Sequence, residues 1–197
     1  MPKSAQRKQE TRERILAAAG RCFRASGLEG AGVIEIMAAA GLTHGGFYAH
    51  FANKAELAAA ALETALAESR ASWLAGLESL PPADAYRQLI GRYLSRSHRE
   101  EREGGCAIAA LASELARQDE PTRAAFERGF LATLAALESA MPEADGVAPR
   151  ERALGTTALA LGGLLLARMV ADRALADEIL LACRRAALRT LSPLSGA

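Results

Sequence analysis

From about Arg7 to Ser26, the apolar residues Ile15, Leu16, Ala19, Cys22 and Phe23 recur at helical spacing. Arg12, Arg14, Arg21 and Arg24 fall largely off that face, so the pattern predicts an amphipathic first helix. Gly27 follows at a position suited to a left-handed C-terminal cap, and Leu28–Gly32 reads as a short loop. A second, short helix fits Val33 to Ala40, with Ile34, Met37 and Ala38 on one face and Gly41 ending it. Leu42 is expected to point back into the core. Thr43 is placed to cap a third helix reaching about Phe51, through a hydroxyl that accepts a free backbone N–H. Phe47 and Phe51, four apart, are expected to bury together, with Tyr48 off that pair.

Asn53 is placed to cap a fourth helix, with Glu56 three residues on, close to a capping box. The helical pattern continues to about Leu80, before Pro81-Pro82, which predicts about 27 residues and ~40 Å of helix. Five more helices are expected at Ala83–His98, Cys106–Gln118, Pro121–Met141, Pro149–Asp172 and Leu175–Leu191. Pro121 and Pro149 fit the first helical turn. Loops are expected at Arg99–Gly105 and Pro142–Ala148.

Composition agrees with this all-α reading of about nine helices. The chain has 197 residues, of which 46 are Ala and 28 are Leu, the strongest helix formers. Half the residues are apolar and 24% are charged, which excludes a disordered chain. The net charge of +1 hides an asymmetry: residues 1–54 carry 8 Lys/Arg against 4 Asp/Glu, and the rest carry 16 against 19. A basic head on a mildly acidic body points to a polyanion partner. The polar stretch Met1 to Arg14 does not resemble a secretory signal, and Met1–Gln6 is expected to be a disordered tail. The longest charge-free run, Ala153 to Ala167, is too short and too rich in Gly and Thr to span a membrane. Cys22, Cys106 and Cys183 are odd in number and far apart, so no disulfide framework is expected and the cytoplasm is the expected compartment.

The stretch Gly32 to Lys54 carries the chemistry. Short helix, glycine turn and short helix make the arrangement of a helix-turn-helix, although an ordinary αα-corner has the same outline. The run Thr43-His44-Gly45-Gly46-Phe47-Tyr48-Ala49-His50-Phe51, then Asn53-Lys54 and Leu57, resembles the recognition helix of the TetR family of transcriptional regulators. The likeness extends back through Thr11-Arg12, Ile15-Leu16-Ala17-Ala18-Ala19, Phe23, Gly27, Ile36-Met37-Ala38 and Gly41-Leu42, over about residues 8 to 68. Gly32-Val33 departs from it, because the family more often opens its second helix with Thr or Ser. His44 departs too, at a position often basic or small in relatives.

Residue chemistry fits the same roles. Gly45 lets a phosphate or base edge approach, and helix-start N–H groups favour an anion. Thr43 can cap or donate to phosphate, and Tyr48 offers a hydroxyl donor. Lys54 reaches the DNA backbone as a point charge, and His44 and Gly46 face the groove. His50 is either a DNA contact or a structural partner. Arg12 is included as a phosphate contact, with Arg14, Lys3, Arg7 and Lys8 on the same basic flank.

The resemblance implies a helix-turn-helix DNA-binding domain over residues 8–54, with the motif at about 32–51, and a ligand-binding and dimerisation bundle over 55–197. The implied partners are duplex DNA with an inverted repeat, a small apolar effector and a second copy of the chain. Tyr93, Cys106, Phe126 and Phe130 are the candidate effector contacts, with Tyr86, His98 and Met169 as further aromatic or apolar possibilities. Cys106 follows Gly104-Gly105 at a helix start; it is either a reactive thiol or an inert buried cysteine. Leu154, Ala158, Leu161, Leu165 and Arg168 step along one face, with Gly155, Gly162 and Gly163 permitting close approach, inside the subunit or across a dimer. No catalytic, metal or cofactor signature is found, so an enzyme is not expected. The alternative is a helical small-molecule-binding or scaffolding protein without DNA function. The favoured reading is a ligand-responsive, sequence-specific regulator, a repressor released by its effector.

Overall fold

The structure, a computed structural model, describes residues 3–101, 104–141 and 146–189. Among these residues it has nine α-helices, one 3-10 helix and no strand. By internal contacts the chain forms two compact units, Met1–Ser69 with Arg102–Phe130, and Arg70–Glu101 with Leu131–Ala197. No helix among the described residues is long and apolar enough to cross a membrane.

The first unit begins with α1 (Lys3–Gly30), which packs against α2 (Val33–Ala39) and α6 (Ala107–Leu115). It also holds the 3-10 helix η1 (His44–Ala49) and the first parts of α3 (Lys54–Leu74) and α7 (Glu120–Ala140). Helix α1 starts earlier than its apolar pattern predicts, so Lys3–Gln6 are helical and not a disordered tail. Two side-chain pairs support the added turns: Gln6 Nε2 donates to Glu10 Oε1 at 3.1 Å, and Gln9 Nε2 to Glu13 Oε1 at 2.8 Å. At Gly27 the backbone takes φ 80° and ψ 168°, the left-handed glycine that the sequence predicts. The chain then makes one further helical turn to Gly30 where a loop is expected. Ile15, Ala18, Ala19, Phe23, Ile36, Met37, Phe47, Phe51 and Leu57 are among the buried apolar residues of this region.

Helix α3 ends at Leu74, short of the expected Leu80. The stop is Gly76, at φ 73°, followed by i+3 bonds from Leu77 to Leu74 and from Leu80 to Leu77. The apolar spacing continues through this turn, which hides the break from a periodicity argument. The expected helix Ala83–His98 is likewise two, α4 (Pro82–Tyr93) and α5 (Arg96–Glu100). Leu94 leaves the helix at φ −91°, ψ 58°, and Ser95 caps the new start by accepting the His98 N–H at 3.1 Å.

The second unit is built on α8 (Pro149–Met169) and α9 (Arg173–Arg189), which pack along each other. The last expected residues of the ninth helix, and parts of the two expected loops, lie outside the described residues. Ala153, Ala160 and Ala167 recur every seven residues on α8; Ala176, Leu180 and Ala187 line α9 in the same core. Such small side chains let two helix axes approach closely. Gly163 belongs to this seam, since a Cβ there would lie 2.7 Å from Cys183 Sγ. Tyr86 crosses it from α4: its hydroxyl lies 3.0 Å from Thr156 Oγ1 and donates to the Ala187 carbonyl at 3.2 Å.

Arg168, placed by its spacing on one face with Leu161 and Leu165, is turned toward the end of α5. Its guanidinium donates to the carbonyls of His98, Arg99 and Glu101 at 2.7, 3.1 and 2.9 Å, closing the end of α5. His98 is buried, with its ring centroid 4.5 Å from Trp73 and 4.7 Å from Tyr93. Burial holds the His98 pKa below its ordinary 6.5, opposed by the Tyr93 carbonyl and assisted by Arg168. A histidine kept neutral when folded makes the unfolded state the better proton binder, so stability falls as pH drops below 6.5. Urea midpoints should therefore decrease from about pH 7.5 to about pH 5, with a shallower slope in His98→Gln. An unchanged slope in that variant would exclude His98 as its source.

Candidate nucleic-acid interface

The motif between Gly32 and Lys54 is held together by helix ends. Helix α2 starts at Val33 without a side-chain cap, as the glycine at position 32 dictates. It stops in a full glycine cap: Gly41, at φ 67°, donates to Ala38 O at 2.9 Å, and Leu42 donates to Met37 O at 2.9 Å. Thr43 then occupies the cap position of η1, but its hydroxyl accepts no capping bond. That hydroxyl is exposed beside the helix start, so the expected capping is absent here. The element itself is a 3-10 helix in place of the expected α-helix. Six residues with two adjacent glycines are a poor α-helix, and the i+3 bond from His50 to Phe47 O at 2.9 Å closes it tightly.

Phe47 and Phe51 are each 1% exposed and stack at 5.9 Å, which anchors η1 to the core. The opposite side is open. Tyr48 is 68% exposed and stands edge-on to both Phe47 and His44. His44 and Gly45 are exposed, and a Cβ added at Gly45 would meet nothing within 4 Å. No packing inside the chain requires glycine at that position. Gly46 is half-buried, and a Cβ added there would meet Met37 at 3.7 Å, an ordinary contact.

Two arginines of α1 secure the ends of these short elements. Arg12 Nη1 donates to His50 O at 2.6 Å, and its guanidinium lies 4.1 Å above the Phe51 ring. Arg14 Nη2 donates to Ala40 O at 2.7 Å. Arg12, expected at phosphate, thus holds the carbonyl end of η1. Its charge also meets the negative end of that element's peptide dipoles. Periodicity sorts both arginines onto the polar face but says nothing of the carbonyls they meet, so these bonds are invisible in the sequence.

Lys54 opens α3 behind an Asn53 cap: Glu56 N donates to Asn53 Oδ1 at 2.9 Å, and Ala52 N to Glu56 Oε2 at 2.7 Å. The Lys54 ammonium donates to the Glu29 carbonyl at 3.1 Å. His50 is half-buried, with Nδ1 enclosed and without a hydrogen-bond partner. Burial first, then Lys8 and Arg12, hold its pKa below the ordinary value. Beside it, Ser4, Arg7, Lys8, Thr11 and Ala49 complete an open cleft of about 590 Å³. The structure therefore brings Thr43, His44, Gly45 and Tyr48 to one exposed edge, with a cationic cleft near His50.

The candidate effector residues are divided between the two units. Phe126 and Phe130 stack at 5.6 Å on α7, and Cys106 is buried at the start of α6, all in the first unit. Tyr93 lies with Trp73 and His98 in the second. Tyr86 is a core residue, and Met169 is 77% exposed. Among the described residues no group of His, Cys, Asp and Glu is arranged to hold a metal ion.

Comparison with known proteins places this geometry. The sequence model of the bacterial regulatory proteins of the tetR family matches residues 15–61, and that of the C-terminal domain of LmrA/YxaF-like transcriptional regulators matches 82–179. A TetR transcriptional regulator from Chloroflexus aurantiacus J-10-FL is similar at 28% identity and a TM-score of 0.71, over 91% of this chain and 95% of that one. The reduced form of NemR from E. coli is similar at 23% identity and a TM-score of 0.73, over 89% of this chain and 96% of that one. A TetR-family regulator from Agrobacterium tumefaciens is similar at 21% identity and a TM-score of 0.73, over 92% of this chain and 97% of that one. No curated protein matches the chain.

The two arginine roles are separable. Arg12→Met should destabilise the DNA-free protein by about 1.5–3 kcal/mol, because it strips a charged donor from a helix-end carbonyl. Arg7→Met, on the exposed cleft wall, should change free-protein stability by less than about 0.5 kcal/mol. Urea unfolding without DNA measures both; equal effects would show that Arg12 has no special hold on η1.

Proposed function

The chain belongs to the TetR family of bacterial transcriptional regulators, and on that premise we propose that it is a repressor whose residues 8–54 bind an inverted-repeat operator. The observation that carries the proposal is the exposed edge of η1, where His44, Gly45 and Tyr48 stand clear of a core anchored by Phe47 and Phe51. In this reading Thr43 and Tyr48 donate to phosphates, and His44, Gly45 and Gly46 meet base edges. Lys54 and His50 approach the DNA backbone from the flank, and Arg12 acts chiefly by holding η1 in place. Regulators of this family are generally non-enzymatic DNA-binding proteins.

Residues 55–197 are proposed as the effector and dimer body. Tyr93, Cys106, Phe126 and Phe130 remain its proposed ligand contacts, for a small, largely apolar molecule. Dimerisation is supported by exposed apolar side chains on α8 and α9: Leu154, Leu166, Met169, Leu175 and Leu181 are all more than 40% exposed. Gly155 and Gly162 open the same helix, since a Cβ at either would meet nothing within 4 Å. The third glycine, Gly163, serves the subunit's own seam. Leu161 and Leu165 are half-buried and Arg168 is turned inward, so the exposed residues are the better probes of an interface.

Selection from random duplex DNA tests the function directly and should recover an inverted repeat. On the recovered site, Tyr48→Phe and Lys54→Ala should weaken binding, and Lys54→Ala should reduce the salt slope by about one unit. No enrichment of any duplex would rule the reading out. The double variant Leu166→Asp, Met169→Asp should sediment as a folded monomer where the parent is a dimer, because it places charge on a surface that resembles a core cut in half. A parent that is monomeric at micromolar concentration would end the dimer proposal.

A further inference from the structure

Glu114 lies in the last turn of α6, the negative end of a helix, where a carboxylate is disfavoured. It is half-buried against α1, and its Oε2 accepts from Leu28 N at 2.8 Å and from Glu29 N at 3.3 Å. Those two N–H groups follow Gly27, whose left-handed backbone interrupts the helix. They therefore have the standing of a helix start, with donors that the preceding turn does not satisfy. A carboxylate there is a charge-assisted cap. Gly27 also leaves the room: a Cβ built on it would collide with Glu114 Oε1. The backbone conformation thus favours glycine at this joint, and a larger residue would have to displace the Glu114 carboxylate.

The same peptide segment is held from its other side. The carbonyl of Glu29 accepts the Lys54 ammonium at 3.1 Å. Glu114, the Leu28–Glu29 backbone and Lys54 form one continuous chain of hydrogen bonds from α6 to the first residue of α3. All of it lies within the first unit.

We propose that Glu114 is a positioning residue for DNA recognition: it fixes the Leu28–Glu29 backbone, which in turn presents Lys54 to the operator phosphate. The proposal rests on the DNA-binding reading above, since it gives Lys54 a partner to be presented to. Lys54 keeps donors to spare for phosphate while bonded to Glu29, because an ammonium has three. A lysine oriented in advance loses less freedom on binding than one that is not, which is where its contribution to affinity would come from.

The test is a double-mutant cycle in the full chain, on the duplex that the parent selects from random DNA. Lys54→Ala should weaken the parent about tenfold but the Glu114→Ala variant only about twofold, so that the two losses do not multiply. Glu114→Gln, which keeps one carbonyl acceptor, should fall between parent and Glu114→Ala. Hydrogen exchange in the free protein should show the Leu28 and Glu29 amides opening at least roughly tenfold faster in Glu114→Ala, with Ala18 and Ala19 still protected. If Glu114→Ala loses protection at Ala18 and Ala19 as well, Glu114→Gln takes its place in the cycle, and non-multiplying losses are again expected. Losses that multiply, or unchanged exchange at Leu28 and Glu29, would overturn the proposal. If the parent selects no duplex, the DNA-binding reading fails and this proposal with it, while the exchange data still show whether Glu114 caps the joint.

Discussion

A helix of seven residues and a 3-10 helix of six are too short to be stable in water, where helix nucleation is costly. The candidate recognition surface consists of these two elements, so α1 has to hold them. It packs against α2, with Ile15 and Phe23 buried, and it uses charge, through Arg12 on the His50 carbonyl and Arg14 on the Ala40 carbonyl. Each arginine satisfies a helix-end acceptor that would otherwise need water, and each lies at the negative end of the peptide dipoles. The arrangement leaves the outer edge of η1 free of structural duty. Tyr48, His44 and Gly45 make little contribution to the core, and that exempts them to meet a partner.

The second unit solves a different packing problem with a different residue. Alanine at heptad positions of α8, facing Ala176 and Ala187 of α9, gives a seam with few side-chain rotamers to freeze. Aromatic bulk is sparse, and the few large groups are used where they tie elements together. Tyr86 joins α4 to α8 and α9, and Trp73 and Tyr93 enclose His98. An alanine-rich inner face leaves Leu154, Leu166, Leu175 and Leu181 of the same helices for the outside. Five of the exposed large apolar side chains fall on these two helices, which is why a second copy is the natural cover.

Much of this was legible in the sequence because it is written in local chemistry. Gly27 and Gly41 have the positive φ that their positions implied, and Asn53 with Glu56 makes the expected cap. The Phe47–Phe51 spacing gave the buried pair. What was missed is either non-local or masked by continuing apolar rhythm. Gly76 and Ser95 break helices within stretches whose periodicity runs on. The 3-10 form of η1 reflects two weak helix formers overridden by the anchoring of Phe47 and Phe51, a tertiary effect. Arg12, Arg14, Arg168 and Glu114 all bond to backbone groups at least 26 positions away, and no local spacing reports such a partner.

These long-range bonds have a common form: a charged side chain closing a helix end in another part of the fold. Such bonds are stronger than neutral ones and are directional, yet each rests on one side chain, so they can be made or lost as units. Apolar seams deform little and transmit displacement as a block. A head secured by charged caps and a body secured by an alanine seam therefore differ in how they yield. The coupling free energy between two sites in regulated proteins is typically about 1–3 kcal/mol, the scale of one charge-assisted bond gained or lost. Helix α1 receives one such bond at its kink and gives two to the recognition elements. A change at α6 of the size of a single hydrogen bond is thus commensurate with a useful change in the pose of η1, without any rearrangement of the core between them.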